Sequence, residues 1–436
     1  MSTASLPTYT APPDLTRTPS YAPEPRAEER RLAHAIVYQY NGRRRSADFI
    51  KQSKTGGMSL RLSDQIEGTN IPTYGMRSPI EGSIELAKTE GLAFVAIKVE
   101  GIMKLKEIAE GGTNTSVLCN ELVTLWRRGV DPSPCPNYLS FSVSLPGEYV
   151  DERGAYPLPP SYEAHLTGLP GFTANVDYEV TAIASRIKLP KVGALTGIGQ
   201  TTVSTPFLFR PRTCPSSPLP SPMVETNSIL GLLEVPSWRA YESRIVARTA
   251  GAKPILCRFY VPRSHVFCFS EPIPFHITFC SSAMTLATLL PFLPTVNQAP
   301  GKSSTRIQLL RQTCVDVRDE YRLEGINTEL WRVINIGEGT MRRSVDGPRW
   351  LAFSGEIRIN PDIKVGGFKA SGLWVRDCIV FSLTPPDTLK GPIGDARVVV
   401  PIRLVTDPYS NDAHAPRVSP PGSDELLDNA ASLPYE

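Results

Sequence analysis

One stretch of this sequence forms a complete PPxY motif. In Leu158-Pro159-Pro160-Ser161-Tyr162, two prolines preset a polyproline II backbone and a tyrosine follows two residues later. The aromatic-lined grooves of WW domains bind peptides of this kind. The same residues also suit a structural role, in which Tyr162 packs as the chain enters a strand and the prolines shape the preceding edge. Both alternatives stay open at the level of sequence.

Incomplete variants of the motif lie near the two ends of the chain. Leu6-Pro7-Thr8-Tyr9 is an LPxY form, Thr18-Pro19-Ser20-Tyr21 lacks the first proline, and Leu433-Pro434-Tyr435-Glu436 lacks the spacer residue. Polyproline II recognition needs an accessible backbone, and both ends are rich in proline and serine without apolar periodicity. The candidate WW-binding residues are Leu6, Pro7, Tyr9, Pro159, Pro160, Tyr162, Pro434 and Tyr435.

A cluster of three arginines, Arg43-Arg44-Arg45, follows the turn residues Asn41 and Gly42. Such a cluster could bind an anionic lipid headgroup or a phosphorylated tail through charge-assisted hydrogen bonds. The alternative is a solvated turn, because strong attraction to lipid normally takes about 4 to 8 basic residues.

Residue patterns typical of catalysis or metal binding are missing from the sequence. It contains no GxSxG, HExxH or Walker lysine motif, and its eight cysteines form no CxxC pair. His276 alternates with Phe275, Ile277 and Phe279, so we expect its side chain on the opposite, exposed strand face. We therefore predict a protein that is not an enzyme and binds no metal and no cofactor.

The composition indicates a folded, nearly neutral chain. Of 436 residues, 46 are Lys or Arg and 43 Asp or Glu, a formal net charge of +3 that offers no electrostatic reason to expect nucleic acid as a partner. The 42 prolines, about twice the usual share, favour short strands and turns. The most apolar stretch, 284–296, is interrupted by Pro291 and Pro294 and is shorter than the ~20 residues that span a bilayer. We expect no transmembrane segment.

Alternation with a period of two dominates the central part of the sequence. In 139–145 every second residue is apolar, as in a strand buried on one face. No helical pattern recurs between such segments, which favours antiparallel sandwiches over parallel sheets. The segment 116–128 fits a helix or a strand equally well. The predicted strands are 58–62, 84–87, 92–99, 139–145, 176–180, 256–261, 275–279, 307–317, 331–336, 351–359, 373–383 and 398–405.

Shifts in composition divide the chain into five parts. Residues 1–29 form a predicted disordered Pro-rich tail, 30–204 a first sandwich, 205–236 a Pro/Ser-rich linker, 237–408 a second sandwich and 409–436 a second disordered tail. Several cysteines lie in apolar runs, and the first residues contain no apolar stretch typical of a secretory signal. We expect reduced, buried thiols in a cytoplasmic protein.

The order of these features resembles the arrestin family, specifically the fungal alpha-arrestins, or arrestin-related trafficking adaptors. The first half contains segments similar to the family's "G-x-V-x-L", "I-x-V-x-G", "F-x-F-x-L-P" and "L-P-x-S-F-E … Y-x-V" strands, and the second half two segments of similar position and shape. These segments are 78–86, 96–101, 138–146, 158–163 with 176–180, 272–277 and 400–405.

The resemblance implies an arrestin fold of two tandem immunoglobulin-like antiparallel β-sandwiches. It also implies an adaptor, in which one surface binds a cytoplasmic segment of a plasma-membrane transporter or receptor. A Pro/Tyr peptide would bind the WW domains of a HECT-type ubiquitin ligase, and ubiquitination and endocytosis of the cargo would follow. Such an adaptor is cytoplasmic and is recruited peripherally to the plasma membrane or endosomes. The retromer-type relatives, which sort cargo without a ligase, are the alternative.

The resemblance also bears on the PPxY motif. The family often carries a structural "LPxSF" element at the place of Pro159–Tyr162, and its ligase-docking motifs usually lie in long C-terminal tails. Here the segment after the predicted second sandwich is short and ends in the imperfect Leu433-Pro434-Tyr435.

Overall fold

The computed structural model describes residues 46–76, 78–108, 112–186, 199–224, 232–249, 251–294, 304–317, 329–386, 391–411 and 415–420. The described residues form one compact unit. Its first half contains the strands β1 (Ser46–Gln52), β2 (Met58–Ile66), β3 (Thr73–Tyr74), β4 (Ile80–Leu86), β5 (Leu92–Glu107), β6 (Thr113–Arg127), β7 (Tyr138–Val143), β8 (Glu148–Asp151), β9 (Gly154–Pro157), β10 (Tyr162–Leu166), β11 (Phe172–Arg186), β12 (Gly199–Phe209) and β13 (Cys214–Pro215).

The second half is also built mainly of strands. In the described residues, α-helix is confined to α1 (Ala283–Leu289), which a 3-10 turn (Leu290–Phe292) follows, and no helix there is long and apolar enough to cross a membrane. The strands are β14 (Trp238–Ile245), β15 (Ile255–Pro262), β16 (Val266–Cys268), β17 (Ile273–Cys280), β18 (Thr305–Val315), β19 (Leu330–Gly347), β20 (Trp350–Ile359), β21 (Phe368–Ala370), β22 (Leu373–Leu383), β23 (Ala396–Val405) and β24 (Arg417–Val418).

The first sandwich packs a four-stranded sheet, in the order β1-β2-β4-β7, against a six-stranded sheet in the order β3-β12-β11-β5-β6, with β10 beside β11. Neighbouring strands are antiparallel except the short pair β3–β12. Because side chains alternate along a strand, every second residue of β11 enters the shared core. Fully buried side chains of this core include Leu60, Ile84, Val99, Phe172 and Val180.

The second sandwich is formed by one continuous sheet in the order β14-β15-β17-β20-β19-β18-β22-β23-β16, with β21 beside β22. This sheet folds back on itself. Phe381 of β22 stacks on Phe259 of β15 with ring centres 5.9 Å apart and also contacts the ring of Phe279 at 6.3 Å. Strands that are distant in the hydrogen-bonded order therefore form opposite layers of one apolar core.

These features confirm the prediction of an all-β protein with antiparallel sandwiches. Each of the twelve predicted strands lies on a strand of the structure, and the ambiguous segment 116–128 falls on the strand β6 and the residue after it. The structure extends the predicted boundaries at two places. Strand β12 runs past residue 204 to Phe209, since Thr205, Phe207 and Phe209 remain on the buried face. In the predicted C-terminal tail, β24 pairs in parallel with β13.

The segment predicted as a linker packs on the second sandwich. We call residues 210–224 and 232–237 the crossover segment; it includes the described residues of the predicted linker 205–236 that follow strand β12. Met223 and Leu232 of this segment are buried and form a separate apolar cluster with Trp238, Tyr260 and Trp350 on the outer face of the sheet. The crossover segment therefore covers a face that the strand pattern alone would leave to solvent.

This covering makes the prediction of an exposed His276 wrong. The imidazole lies on the face opposite to Phe275, as the alternation indicates, but it is only 5% exposed. Its Nε2 accepts a hydrogen bond of 3.3 Å from the backbone N–H of Met223, and its Nδ1 lies 2.8 Å from Ser354 Oγ. Because Nε2 accepts, the neutral ring carries its proton on Nδ1. Burial lowers the pKa of His276 to about 4.

The cysteines form no disulfide bonds in the structure, and most of them are buried, as the apolar runs predicted. All eight are unpaired, and every one except the half-buried Cys280 is buried. Burial raises the pKa of Cys119 to about 12, with the charge of Glu121 adding to the effect, so this thiol is not a nucleophile near neutral pH.

Candidate functional site

The PPxY motif lies where the two sandwiches meet. Pro159 and Pro160 are buried. The N–H of Ser161 donates to the carbonyl of Phe209 at 2.9 Å, and the N–H of Phe209 donates to Ser161 Oγ at the same distance. The hydroxyl of Tyr178 donates to the carbonyl of Pro159 at 2.6 Å. The backbone that leads to Tyr162 is therefore hydrogen-bonded into the first sandwich.

Tyr162 itself bridges the two sandwiches. Its hydroxyl lies 2.7 Å from Thr313 Oγ1 on β18, and its ring packs edge-on against Phe368 with the centres 5.2 Å apart. Burial raises the pKa of this phenol. A WW groove needs both prolines and the tyrosine on an accessible backbone, so this motif would have to leave the junction to bind one. The geometry favours the structural alternative.

The hairpin β8–β9 makes further contacts across the junction. Tyr149 Oη accepts a 2.9 Å hydrogen bond from the backbone N–H of Ser371. Arg153 pairs with the carboxylate of Asp316 at 3.3 Å and also donates to its carbonyl at 3.4 Å. Several apolar residues of the second half complete the first core from the same side. They are Val315, Val317, Ala370, Leu373 and Val375.

A buried ion pair lies beside Tyr162. Arg311 on β18 donates to both carboxylate oxygens of Asp377 on β22, at 2.7 and 2.9 Å, and to the carbonyl of Val365 at 2.7 Å. The two side chains are 4% and 0% exposed. Burial disfavours the charge of Arg311, but the carboxylate outweighs this effect, so the pKa of Arg311 is raised. The pair supports the strands that hold Thr313 against Tyr162.

A second candidate site is an open cleft of about 860 Å³ between the crossover segment and the second sandwich. Sequence reasoning missed it because its basic residues are far apart along the chain. No carboxylate is among the described residues that line it. We call it the arginine cleft and define it by Ser217, Ser221, Arg239, Arg263, Ser264 and His265.

The polar groups of the arginine cleft suit anion binding better than catalysis. His265 adopts a left-handed backbone conformation (φ 48°), is buried, and has its Nε2 3.0 Å from the hydroxyl of Tyr241. Burial, with a contribution from Arg239, lowers the pKa of His265 to about 4. Ser264 Oγ has no hydrogen-bond partner in the described structure, so the imidazole does not activate it. Guanidinium and hydroxyl groups remain to bind an anion.

The other predicted site residues lie outside the described residues and stay predictions. In the described ranges, His, Cys, Asp and Glu form no group of three or more that could hold a metal ion. The residues outside these ranges are Leu6, Pro7, Tyr9, Arg43, Arg44, Arg45, Pro434 and Tyr435.

The role of Tyr162 at the junction can be measured. Tyr162→Phe is expected to lower the free energy of unfolding by about 1 kcal/mol, because it removes the hydrogen bond to Thr313 and leaves that hydroxyl without its partner. Urea denaturation followed by tryptophan fluorescence measures the change. Tyr138→Phe, at a side chain 58% exposed, is the matched control. An equal effect in both variants would contradict the bridging role.

The fold and the junction define the class of this chain: an all-β protein of two antiparallel sandwiches that meet at a partly polar junction, with a basic cleft beside the second. Comparison with models of known protein families gives no match, and comparison with curated proteins gives no similar sequence.

Proposed function

We propose that this chain is a non-enzymatic adaptor that links a membrane-protein cargo to a HECT-type ubiquitin ligase, as its resemblance to the alpha-arrestins implies. One observation carries the proposal: each segment that carries the resemblance includes part of a strand in one of the two sandwiches. The matching strands are β4, β5, β7, β10 with β11, β17 and β23. The motifs that carry the resemblance therefore fall, in chain order, on strands of the two sandwiches.

The chemistry of the arginine cleft supports a binding role. A hydrolase would need a nucleophile beside a base, and a carboxylate or another group to orient that base. In the described cleft, His265 bonds to Tyr241, Ser264 Oγ is unpartnered, and no carboxylate is present. This arrangement offers positive charge and hydroxyls to a ligand without an activated nucleophile.

An adaptor needs no strong individual contact. A weak contact with the ligase and a weak contact with the cargo reinforce each other when one molecule carries both, since the second contact then forms at a high effective concentration. Such a protein acts in the cytoplasm and reaches the plasma membrane or endosomes through its cargo.

The burial of Pro159 and Pro160, with the contacts of Tyr162 across the junction, directs the ligase test to the ends of the chain. We expect Tyr9→Ala to weaken binding of the full-length protein to tandem WW domains of a HECT ligase by about tenfold, because the tyrosine supplies the aromatic anchor. Tyr162→Phe is expected to leave the affinity unchanged, and Tyr435→Ala measures the contribution of the second end. Isothermal titration calorimetry measures the dissociation constant of each variant.

The outcomes separate the candidate motifs. Unchanged affinity in both Tyr9→Ala and Tyr435→Ala would leave the ligase part of the proposal without support. Weaker binding by Tyr162→Phe would instead mean that the junction opens and presents its PPxY motif.

The engagement of the complete PPxY motif in the junction favours a second candidate, a retromer-like sorting module that recruits no ligase. Cross-linked affinity purification of the intact protein from cells distinguishes the two functions. Recovery of coat subunits without a ubiquitin ligase would support the sorting module, and recovery of a HECT ligase with a transporter or receptor would support the adaptor.

A further inference from the structure

The described residues that line the arginine cleft include two arginines and no carboxylate. Arg239 and Arg263 are exposed. Arg263 donates to the carbonyl of Pro236 at 3.4 Å, and the guanidinium of Arg239 lies 5.2 Å from the ring centre of Tyr241. In the described residues neither arginine forms an ion pair. Other arginines of this chain do so with nearby carboxylates, namely Arg212, Arg258, Arg343 and Arg358.

The crossover segment brings two Ser-Pro pairs to the same cleft. Ser217 precedes Pro218 and Ser221 precedes Pro222, and both serines are exposed and lie outside helices and strands. An exposed, irregular segment of this kind is accessible to a modifying enzyme. The segment is anchored on both sides of Ser217, since β13 pairs with β24 and the carbonyl of Ser221 accepts a 3.1 Å hydrogen bond from the indole of Trp238.

We propose that Ser217 and Ser221 are phosphorylation sites and that the arginine cleft binds the phosphate placed there. A proline-directed protein kinase would transfer the γ-phosphoryl group of Mg-ATP. The Oγ–P bond forms while the P–O bond to ADP breaks, and the hydroxyl proton passes to a base of the kinase. The proposal does not depend on the adaptor function.

The chemistry of the cleft matches such a group. A phosphoserine carries about −1.5 to −2 charges at pH 7 and three strong acceptor oxygens. Arg239 and Arg263 supply fixed positive charge with several N–H donors. The serines and the arginines line one cleft, so a phosphate on either serine lies on the same surface as both guanidinium groups.

The expected consequence is that the crossover segment is held more firmly on the second sandwich. The same segment leads from the first sandwich into the second, and its Met223 donates a backbone hydrogen bond to Nε2 of His276. Phosphorylation therefore acts on a segment that already covers buried residues. The added stability is expected to make local opening of the crossover segment less frequent.

The test uses the full-length protein, a purified proline-directed kinase and Mg-ATP. We expect mass spectrometry to map phosphate to Ser217, Ser221 or both. Hydrogen exchange in 216–224 is expected to slow about tenfold after phosphorylation, because charge-assisted hydrogen bonds hold the segment on the cleft. Arg239→Gln/Arg263→Gln is expected to keep the phosphorylation and lose the slowing. Arg244→Gln, on the same strand as Arg239 but outside the cleft, is the matched control.

A third Ser-Pro pair, away from the cleft, serves as an internal control. Ser133 precedes Pro134, is exposed, and its carbonyl accepts a 3.0 Å hydrogen bond from the indole of Trp126, much as Ser221 bonds Trp238. Phosphate at this site is expected to produce no slowing that depends on Arg239 and Arg263.

Three results would overturn the proposal. The first is no phosphate on Ser217 or Ser221, and the second is equal slowing of exchange in the wild-type protein and the double arginine variant. The third is binding of the unphosphorylated protein to vesicles that contain phosphoinositide, if it is lost in that variant, because this would assign the cleft to a lipid headgroup.

Discussion

Asp377→Asn is expected to lower the free energy of unfolding by about 3–5 kcal/mol, because it leaves the buried charge of Arg311 without a counter-ion. The side chains are 4% and 0% exposed, so water cannot replace the lost carboxylate. Asparagine keeps the size of the side chain and one acceptor oxygen, which isolates the effect of the charge. Urea denaturation at pH 7, followed by tryptophan fluorescence, measures the loss.

Two comparisons make this prediction specific. Glu356→Gln breaks the exposed pair with Arg358, whose side chain is 77% exposed, and is expected to cost less than about 1 kcal/mol. The double variant Arg311→Met/Asp377→Leu removes both charges and is expected to recover most of the lost stability. A loss in Asp377→Asn no larger than that in Glu356→Gln would show that the pair is not buried in solution.

Acid is expected to destabilise this protein through its two buried histidines. In the folded state the pKa of both His265 and His276 is lowered to about 4, with burial as the main cause. The unfolded chain, whose histidines titrate near ~6.5, binds more protons between these values. Stability is therefore highest above pH 6.5 and falls as the pH decreases toward 4. The loss at pH 5 is about 2 kcal/mol for each histidine.

Substitutions test whether the two histidines cause the loss of stability in acid. His276→Gln and His265→Asn remove the titrating groups, and asparagine also tolerates the left-handed conformation at residue 265. Each is expected to halve the decline between pH 7 and pH 5, measured by urea denaturation, whereas the exposed His165→Gln leaves it unchanged. An unaltered decline in the double variant would mean that carboxylates cause it instead.

Local patterns along the chain were sufficient to predict the class of fold. The segment 139–145 alternates because one face of β7 meets the first core, and 275–279 places Phe275, Ile277 and Phe279 in the second. The short strands β3, β13 and β24 escaped prediction because two residues carry no periodicity. Within the Pro/Ser-rich stretch, the apolar residues Met223 and Leu232 were the sign that this stretch packs on the second sandwich.

The candidate site shows the limit of such patterns. The PPxY motif was visible in the sequence, but its two possible roles differ only in whether distant groups cover it. Thr313 and Phe368 lie more than 150 residues away from Tyr162 along the chain and pack against it. The arginine cleft likewise joins residues from separate elements, which no spacing rule connects.

The sequence by itself determined that this chain folds into antiparallel strands with two buried apolar layers, because alternation within a strand depends only on neighbouring residues. The tertiary structure alone decided which outer sheet faces are covered and where the prolines and Tyr162 of the PPxY motif lie. It also decided which arginines line the same cleft. Exposure and charge proximity depend on segments that are remote along the chain, so they are settled only when the crossover segment and the junction have formed.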